Sequence, residues 1–238
     1  IGGFDEVRKL FSQTSEASRR NLSPSYFSFN IPGGRCETCR GEGYVKTEMY
    51  FLDDLYLICE DCEGKRYKKE CLQIKLRGKN IADVLNMSVT EAKIFFSHSS
   101  NLLPKLQLLE KVGLGYIRIG QSSQSLSGGE SQRLKIASEI GSSSKRNLLY
   151  LLDEPTTGLH VSEIELLIRL LNELVEAGNT VLVIEHHLDV LKCVDWLIDL
   201  GPKAGKSGGE IVAEGSPEEV ARKKTLTGKY LAELLKRS

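Results

Sequence analysis

The 238-residue sequence predicts an α/β protein, a sheet covered by helices, with a small cysteine-bearing module ahead of it. Three observations carry this reading. From residue 126 onward, apolar runs of strand length at 148–152 and 180–184 alternate with longer helical stripes, as in a parallel or mixed sheet under helices. Two Cys-x-x-Cys pairs, Cys36/Cys39 and Cys59/Cys62, stand 19 residues apart in a stretch dense in glycine and charge. Hydrophobic residues at 40% and charged residues at 27% are ordinary for a folded globular chain, so a packed core is affordable without disulfides.

The elements follow in order. Phe4, Val7, Leu10 and Phe11 recur at helical spacing and predict a short amphipathic helix. Residues 12–25, rich in Ser and Arg, read as loop. Alternation at 44–49 and again at 72–76 reads as short strands inside a module spanning 26–80. Residues 81–118 carry Ile81, Val84 and Leu85, then Leu102, Leu106, Leu109 and Val112, and read as helical packing faces. Ser127 with Glu130 three residues on is a capping box, predicting a helix that runs to about Ile140. Ser162 and Glu165 form a second such candidate, ahead of a stripe at Ile164, Leu167, Leu171, Leu174 and Val175. The runs 148–152 and 180–184 read as buried strands, with further strands at 196–200 and 210–213. The expected domains are 1–25, 26–80, 81–125 and 126–238.

Two Cys-x-x-Cys knuckles supply the four thiolates that a tetrahedral structural zinc ion takes, and Gly41, Gly43 and Gly64 allow the tight turns around the sulfurs. The bland alternative is four buried or redox-active thiols. Cys-x-x-Cys-x-Gly-x-Gly also resembles the zinc modules of DnaJ-type chaperones, which use more copies of the motif. Cys71 and Cys193 read as ordinary core cysteines. The formal net charge is zero, from 32 basic and 32 acidic residues, which excludes a whole-chain basic field. Locally, residues 65–79 hold seven positive side chains against Glu70 alone, +6 in all, as either a solvated face or a nucleic-acid patch. No apolar run approaches the roughly 18–20 residues that span a bilayer, so no membrane association and a cytoplasmic location are expected. The start, Ile1-Gly2-Gly3, has no Met and reads as a cut into a longer chain.

The chemistry-bearing motifs lie in the second half. In Leu126-Ser127-Gly128-Gly129-Glu130-Ser131-Gln132-Arg133, a helix start presents free backbone N–H groups, and Gly128 and Gly129 leave a phosphate room to approach. Asp153, at a strand's end, can hold Mg²⁺, and Glu154 can orient an attacking water as general base. An acidic pair there could also be a helix cap or solvated loop; Pro155, Thr156 and Thr157 weigh against that. His186, after the second strand, can reach a γ-phosphate, whereas His160 and His187 have weaker claims. Residues 204–207, Ala-Gly-Lys-Ser, mimic the end of a phosphate-binding loop, but Leu200 stands where its first glycine belongs, and they read as loop.

These residues resemble parts of an ATP-binding-cassette (ABC) ATPase: the signature loop at 126–133, the Walker B end at Asp153–Glu154, and the histidine loop at His186. The resemblance implies ATP as ligand, with Ser127, Gly128, Gly129 and Glu130 closing over nucleotide held by an opposing half. The chain contains no Gly-x-x-x-x-Gly-Lys-Ser/Thr loop, so by itself it is expected to be inactive. Phe27-Ser28-Phe29-Asn30, Gly33-Gly34-Arg35-Cys36-Glu37, Gly64-Lys65-Arg66-Tyr67, Leu152 through the run Asp153-Glu154-Pro155-Thr156-Thr157-Gly158-Leu159-His160, Val183-Ile184-Glu185-His186 and the run 195–202 resemble the C-terminal part of the UvrA family, damage-recognising ATPases of bacterial nucleotide excision repair. Where the family has His-Asn-Leu, this chain has His186-His187-Leu188. The resemblance implies a zinc module that supports engagement of damaged double-stranded DNA, two ATP sites in a homodimer, cooperation with a UvrB-like partner, and a Walker A loop upstream of Ile1. Two other roles stay open: a UvrA-like ABC protein of drug self-resistance, and a transporter ATPase, which would not need the zinc module.

Overall fold

The computed structural model describes residues 2–47, 49, 54–141, 147–202 and 208–236. They form two units, residues 1–126 and 127–238.

In the first unit, α1 (Phe4–Ser12) buries Val7 and Phe11. Phe11 packs on Phe27 with ring centroids 5.5 Å apart. The segment expected as loop at 12–25 contains a helix, α2 (Ser15–Arg19), and a 3₁₀ turn at Pro24–Phe27. Local chemistry explains the helix: Thr14 Oγ1 accepts the Ala17 N–H at 3.3 Å, and Glu16 pairs with Arg20 one turn on at 2.7 Å. Strands β1 (Tyr44–Thr47) and β2 (Leu55–Ile58) make an antiparallel hairpin, Tyr44 opposite Ile58 and Thr47 opposite Leu55, exposed along both strands. The strand expected at 72–76 is instead the end of a helix, α3 (Lys69–Gln73), which buries Cys71; Ile74 follows, also buried, and Leu76 joins only an isolated bridge to Lys79. Helices α4 (Ile81–Asn86) and α5 (Val89–Phe95) each open on a complete capping box, Asn80 with Asp83 and Ser88 with Glu91. With α6 (Leu103–Lys111), they bury Ile81, Val84, Val89 and Leu106.

The second unit starts with α7 (Gly128–Gly141), then β3 (Leu149–Asp153), α8 (Val161–Glu176), β4 (Thr180–Ile184) and the short α9 (Leu188–Leu191). β3 and β4 pair in parallel, Leu149 beside Thr180 and Asp153 beside Ile184, with α8 packed against β4. β5 (Leu197–Gly201) and β6 (Glu210–Gly215) pair antiparallel, with a bulge at Asp199/Leu200; α10 (Pro217–Val220) and α11 (Leu226–Leu235) seat Val220 and Leu231 on them.

Three expectations change here. The cap of α8 is His160 with Glu163, two residues before the Ser162/Glu165 box, because the His160 ring takes the acceptor role. The runs 148–152 and 180–184 are covered on one face only: Leu149, Leu151, Leu182 and Ile184 are 50–68% exposed. Cys193 is exposed, not core, because it follows the last turn of the four-residue α9. The loop at 204–207 lies outside the described residues. No helix among the described residues is long and apolar enough to cross a membrane.

Candidate metal centre and carboxylate–histidine loops

The two knuckles are a structural repeat. Cys36-Glu37-Thr38-Cys39-Arg40-Gly41 and Cys59-Glu60-Asp61-Cys62-Glu63-Gly64 align with an offset of 23 residues. In both, the two residues after the second cysteine have positive φ, 52° and 90° at Arg40 and Gly41, 52° and 76° at Glu63 and Gly64. Equivalent positions meet across the repeat: Cys36 with Cys59, their sulfurs 3.9 Å apart, Cys39 with Cys62 at 3.6 Å, and Thr38, which donates to Asp61. Backbone bonds hold each knuckle to its neighbours, Cys36 N–H to Arg66 O at 2.8 Å and Cys59 N–H to Gly43 O at 3.0 Å.

All four thiols are buried and free, and their ligand atoms lie within 4.8 Å of one another. A tetrahedral ion with Zn–S bonds of about 2.3 Å sets its sulfurs about 3.8 Å apart, so the donor set and spacing suit zinc; a disulfide would need about 2.05 Å. Burial pushes Cys39 up, and Cys62 to about 12. Burial opposes ionisation of Cys36 too, but N–H groups of Cys39 and Thr38 hold it below its ordinary value. The Gly43 N–H donates to Cys39 Sγ at 3.3 Å, the polarity a thiolate ligand calls for.

In the second unit, Ser127 and Glu130 close the predicted box: Glu130 Oε2 accepts the Ser127 N–H at 2.7 Å, and Ser127 Oγ accepts the Glu130 N–H at 3.2 Å. Gly128 and Gly129 thus open α7, and a Cβ on Gly128 would meet nothing within 4 Å. Gly129 faces inward, where a Cβ would come 2.3 Å from Leu159 Cδ2. Arg133, 2% exposed, donates from Nη1 to Glu163 Oε1 at 2.7 Å and so ties α7 to the start of α8.

Asp153 ends β3, and Glu154 leaves it with φ 41°, a conformation an L-residue adopts only under constraint. The constraint is visible: Glu154 N–H donates to Ile184 O at 2.9 Å, carrying the β3–β4 ladder one residue past the strand. This brings the two predicted catalytic residues together, Glu154 Oε1 lying 3.9 Å from His186 Nδ1, both side chains exposed. Glu185 sits beneath them. Its Oε1 accepts both the Thr156 N–H (2.9 Å) and hydroxyl (2.5 Å), and its Oε2 accepts the N–H groups of His186 (2.9 Å) and His187 (3.1 Å). Partial burial opposes its ionisation, but the Thr156 and histidine donors outweigh it and lower its pKa. A cavity of about 210 Å³ in the first unit, between Leu10, Arg77, Phe95 and His98, contains none of these groups.

No family model matches the chain. UvrABC system protein A of Thermus thermophilus is 58% identical over 98% of this chain and 24% of its own length. The proteins of that name from Aquifex aeolicus (56%) and Clostridium perfringens (55%) match over 98% of the chain and 25% of theirs. Among solved structures, UvrA2 from Deinococcus radiodurans matches with a TM-score of 0.91 and 49% identity, over 98% of this chain and 29% of that one. The chain is a UvrA-type segment. It spans about a quarter of the length of the curated relatives it matches.

Four residues of this UvrA-type segment gain roles that sequence reasoning did not give them. Glu185 reads only as the residue before a histidine, and nothing local signals that its carboxylate turns back to Thr156, 29 residues earlier. Arg133 reads as part of a motif, and its burial depends on the later α8. His160 and His187 both serve as helix caps, His160 for α8 and His187, through Nδ1, for the Asp189 N–H at 3.3 Å.

Proposed function

We propose that this chain is the C-terminal part of a UvrA protein, the damage-recognising ATPase of nucleotide excision repair, acting in the cytoplasm. The observation that carries the reading is the co-occurrence, in one UvrA-type chain, of a four-thiol cluster and the Glu154–His186 pair at 3.9 Å. The transporter-ATPase reading leaves the thiol cluster without a use.

Cys36, Cys39, Cys59 and Cys62 would hold zinc, which fixes the knuckles and supports contact with damaged double-stranded DNA. Asp153 would hold Mg²⁺ at the end of β3. Glu154 accepts a proton from the attacking water and orients it, and His186 holds the γ-phosphate end of ATP. Ser127, Gly128, Gly129 and Glu130 close over nucleotide bound by the opposing half of a homodimer, with their N–H groups and the positive end of α7 facing phosphate. A UvrB-like protein is the expected partner.

Two measurements test this. The isolated 238 residues, which contain no Walker A loop, should hydrolyse ATP negligibly. Robust turnover that Glu154→Gln abolishes would overturn that point. DNA binding by the protein should weaken steeply with salt and be lost on Cys59→Ser. Binding indifferent to zinc removal would remove the module from the DNA reading.

A further inference from the structure

We propose that Glu185 is a positioning residue that clamps the loop bearing the general base to the loop bearing the histidine, so that Glu154 and His186 face one reacting centre together. The proposal rests on the ATPase reading for its catalytic consequence, but the clamp itself is visible without nucleotide.

Four donors converge on one carboxylate, two on each oxygen. Oε1 takes the backbone and hydroxyl of Thr156, two residues after Glu154. Oε2 takes the backbone N–H groups of His186 and His187. Each loop therefore holds a different oxygen of the same rigid, planar group. The strand ladder alone would stop at the bond from Glu154 N–H to Ile184 O. Beyond it, the chain on the β3 side turns through Pro155 into a loop, and on the β4 side it turns toward α9. Glu185 is the group that keeps the two in register past that point. An ionised carboxylate suits the task because it is acceptor-only, and four N–H or O–H donors leave no place for a proton on it.

Glu185→Gln is the sharp variant. It keeps size and shape, but its NH₂ must face one of the two donor pairs, so one loop is released while the fold is kept. In the 238-residue chain, amide hydrogen exchange should accelerate about tenfold or more at Thr156, or at His186 and His187, while Leu182 and Val183 in β4 stay unchanged. Glu185→Ala should release both loops. In the longer ATPase carrying this segment, Glu185→Gln should lower kcat roughly 10–100-fold with KM for ATP little changed. Unchanged exchange at all three residues overturns the clamp, and so does acceleration spread equally through β4. Altered exchange with kcat at the wild-type value overturns the positioning role. If the wild-type assembly does not turn over ATP, the ATPase reading fails, and the exchange data still judge the clamp.

Discussion

Gly41 carries the tightest constraint in the first knuckle. Its φ is +90°, and a Cβ there would lie 1.8 Å from the Phe29 carbonyl oxygen, which belongs to backbone and cannot swing away. Gly78 has almost the same φ, +82°, but open space around it. The pair separates conformational strain from collision. Gly78→Ala should cost about 1 kcal/mol, the penalty of a left-handed L-residue. Gly41→Ala should cost more than about 2 kcal/mol and release zinc, because the knuckle must move off Phe29. Urea unfolding with zinc stoichiometry measures both, and equal costs would mean that the knuckle yields freely. At this scale, the cysteines were legible because ligand spacing is local. The carboxylate clamp was not, because its partners are set by strand register.

The start of α8 joins a cap to a buried cation, and its pH dependence follows. The His160 N–H and the Arg133 guanidinium hold the Glu163 carboxyl below its usual range. A depressed folded pKa means that the stabilisation is complete above the unfolded value of about 4.3 and is lost as pH falls through the lower folded value. Glu163→Gln should therefore cost about 1–2 kcal/mol at neutral pH, discounted because Glu163 is a third exposed, and the gap should close in acid, once the pH is below the depressed folded value. Urea titrations at both pH values check this; a gap that persists in acid would mean that the charge is not what matters. The same helix shows what periodicity can reveal. Of the stripe Ile164, Leu167, Leu171, Leu174 and Val175, the first four are buried and Val175, at the helix end, is exposed. Five-residue helices such as α2 and α3 offer too few turns for a stripe. Across the end of α3, the order Leu72-Gln73-Ile74-Lys75-Leu76 imitates strand alternation although only Ile74 of the three apolar residues is fully buried. The sequence pattern sets the cap two residues late because histidine is an unusual N-cap.

At the scale of the molecule, the candidate metal centre and the carboxylate–histidine loops belong to different units, residues 1–126 and 127–238. The metal's free energy is folding free energy only for the chain that its ligands cross-link, and Cys36 to Cys62 brace a hairpin that is exposed along both strands. That hairpin buries too little of its own apolar surface to persist alone, since isolated two-stranded hairpins are marginal in water. Stripping zinc with a chelator should therefore abolish amide protection across Tyr44–Thr47 and Leu55–Ile58. Protection across Leu149–Asp153 and Thr180–Ile184, whose ladder and α8 cover owe nothing to the thiols, should stay within about a factor of two. Hydrogen exchange with and without chelator reads both regions in one experiment. If β3 and β4 lost protection in step with the hairpin, the two units would unfold as one, and the metal centre would be stabilising the carboxylate–histidine loops directly.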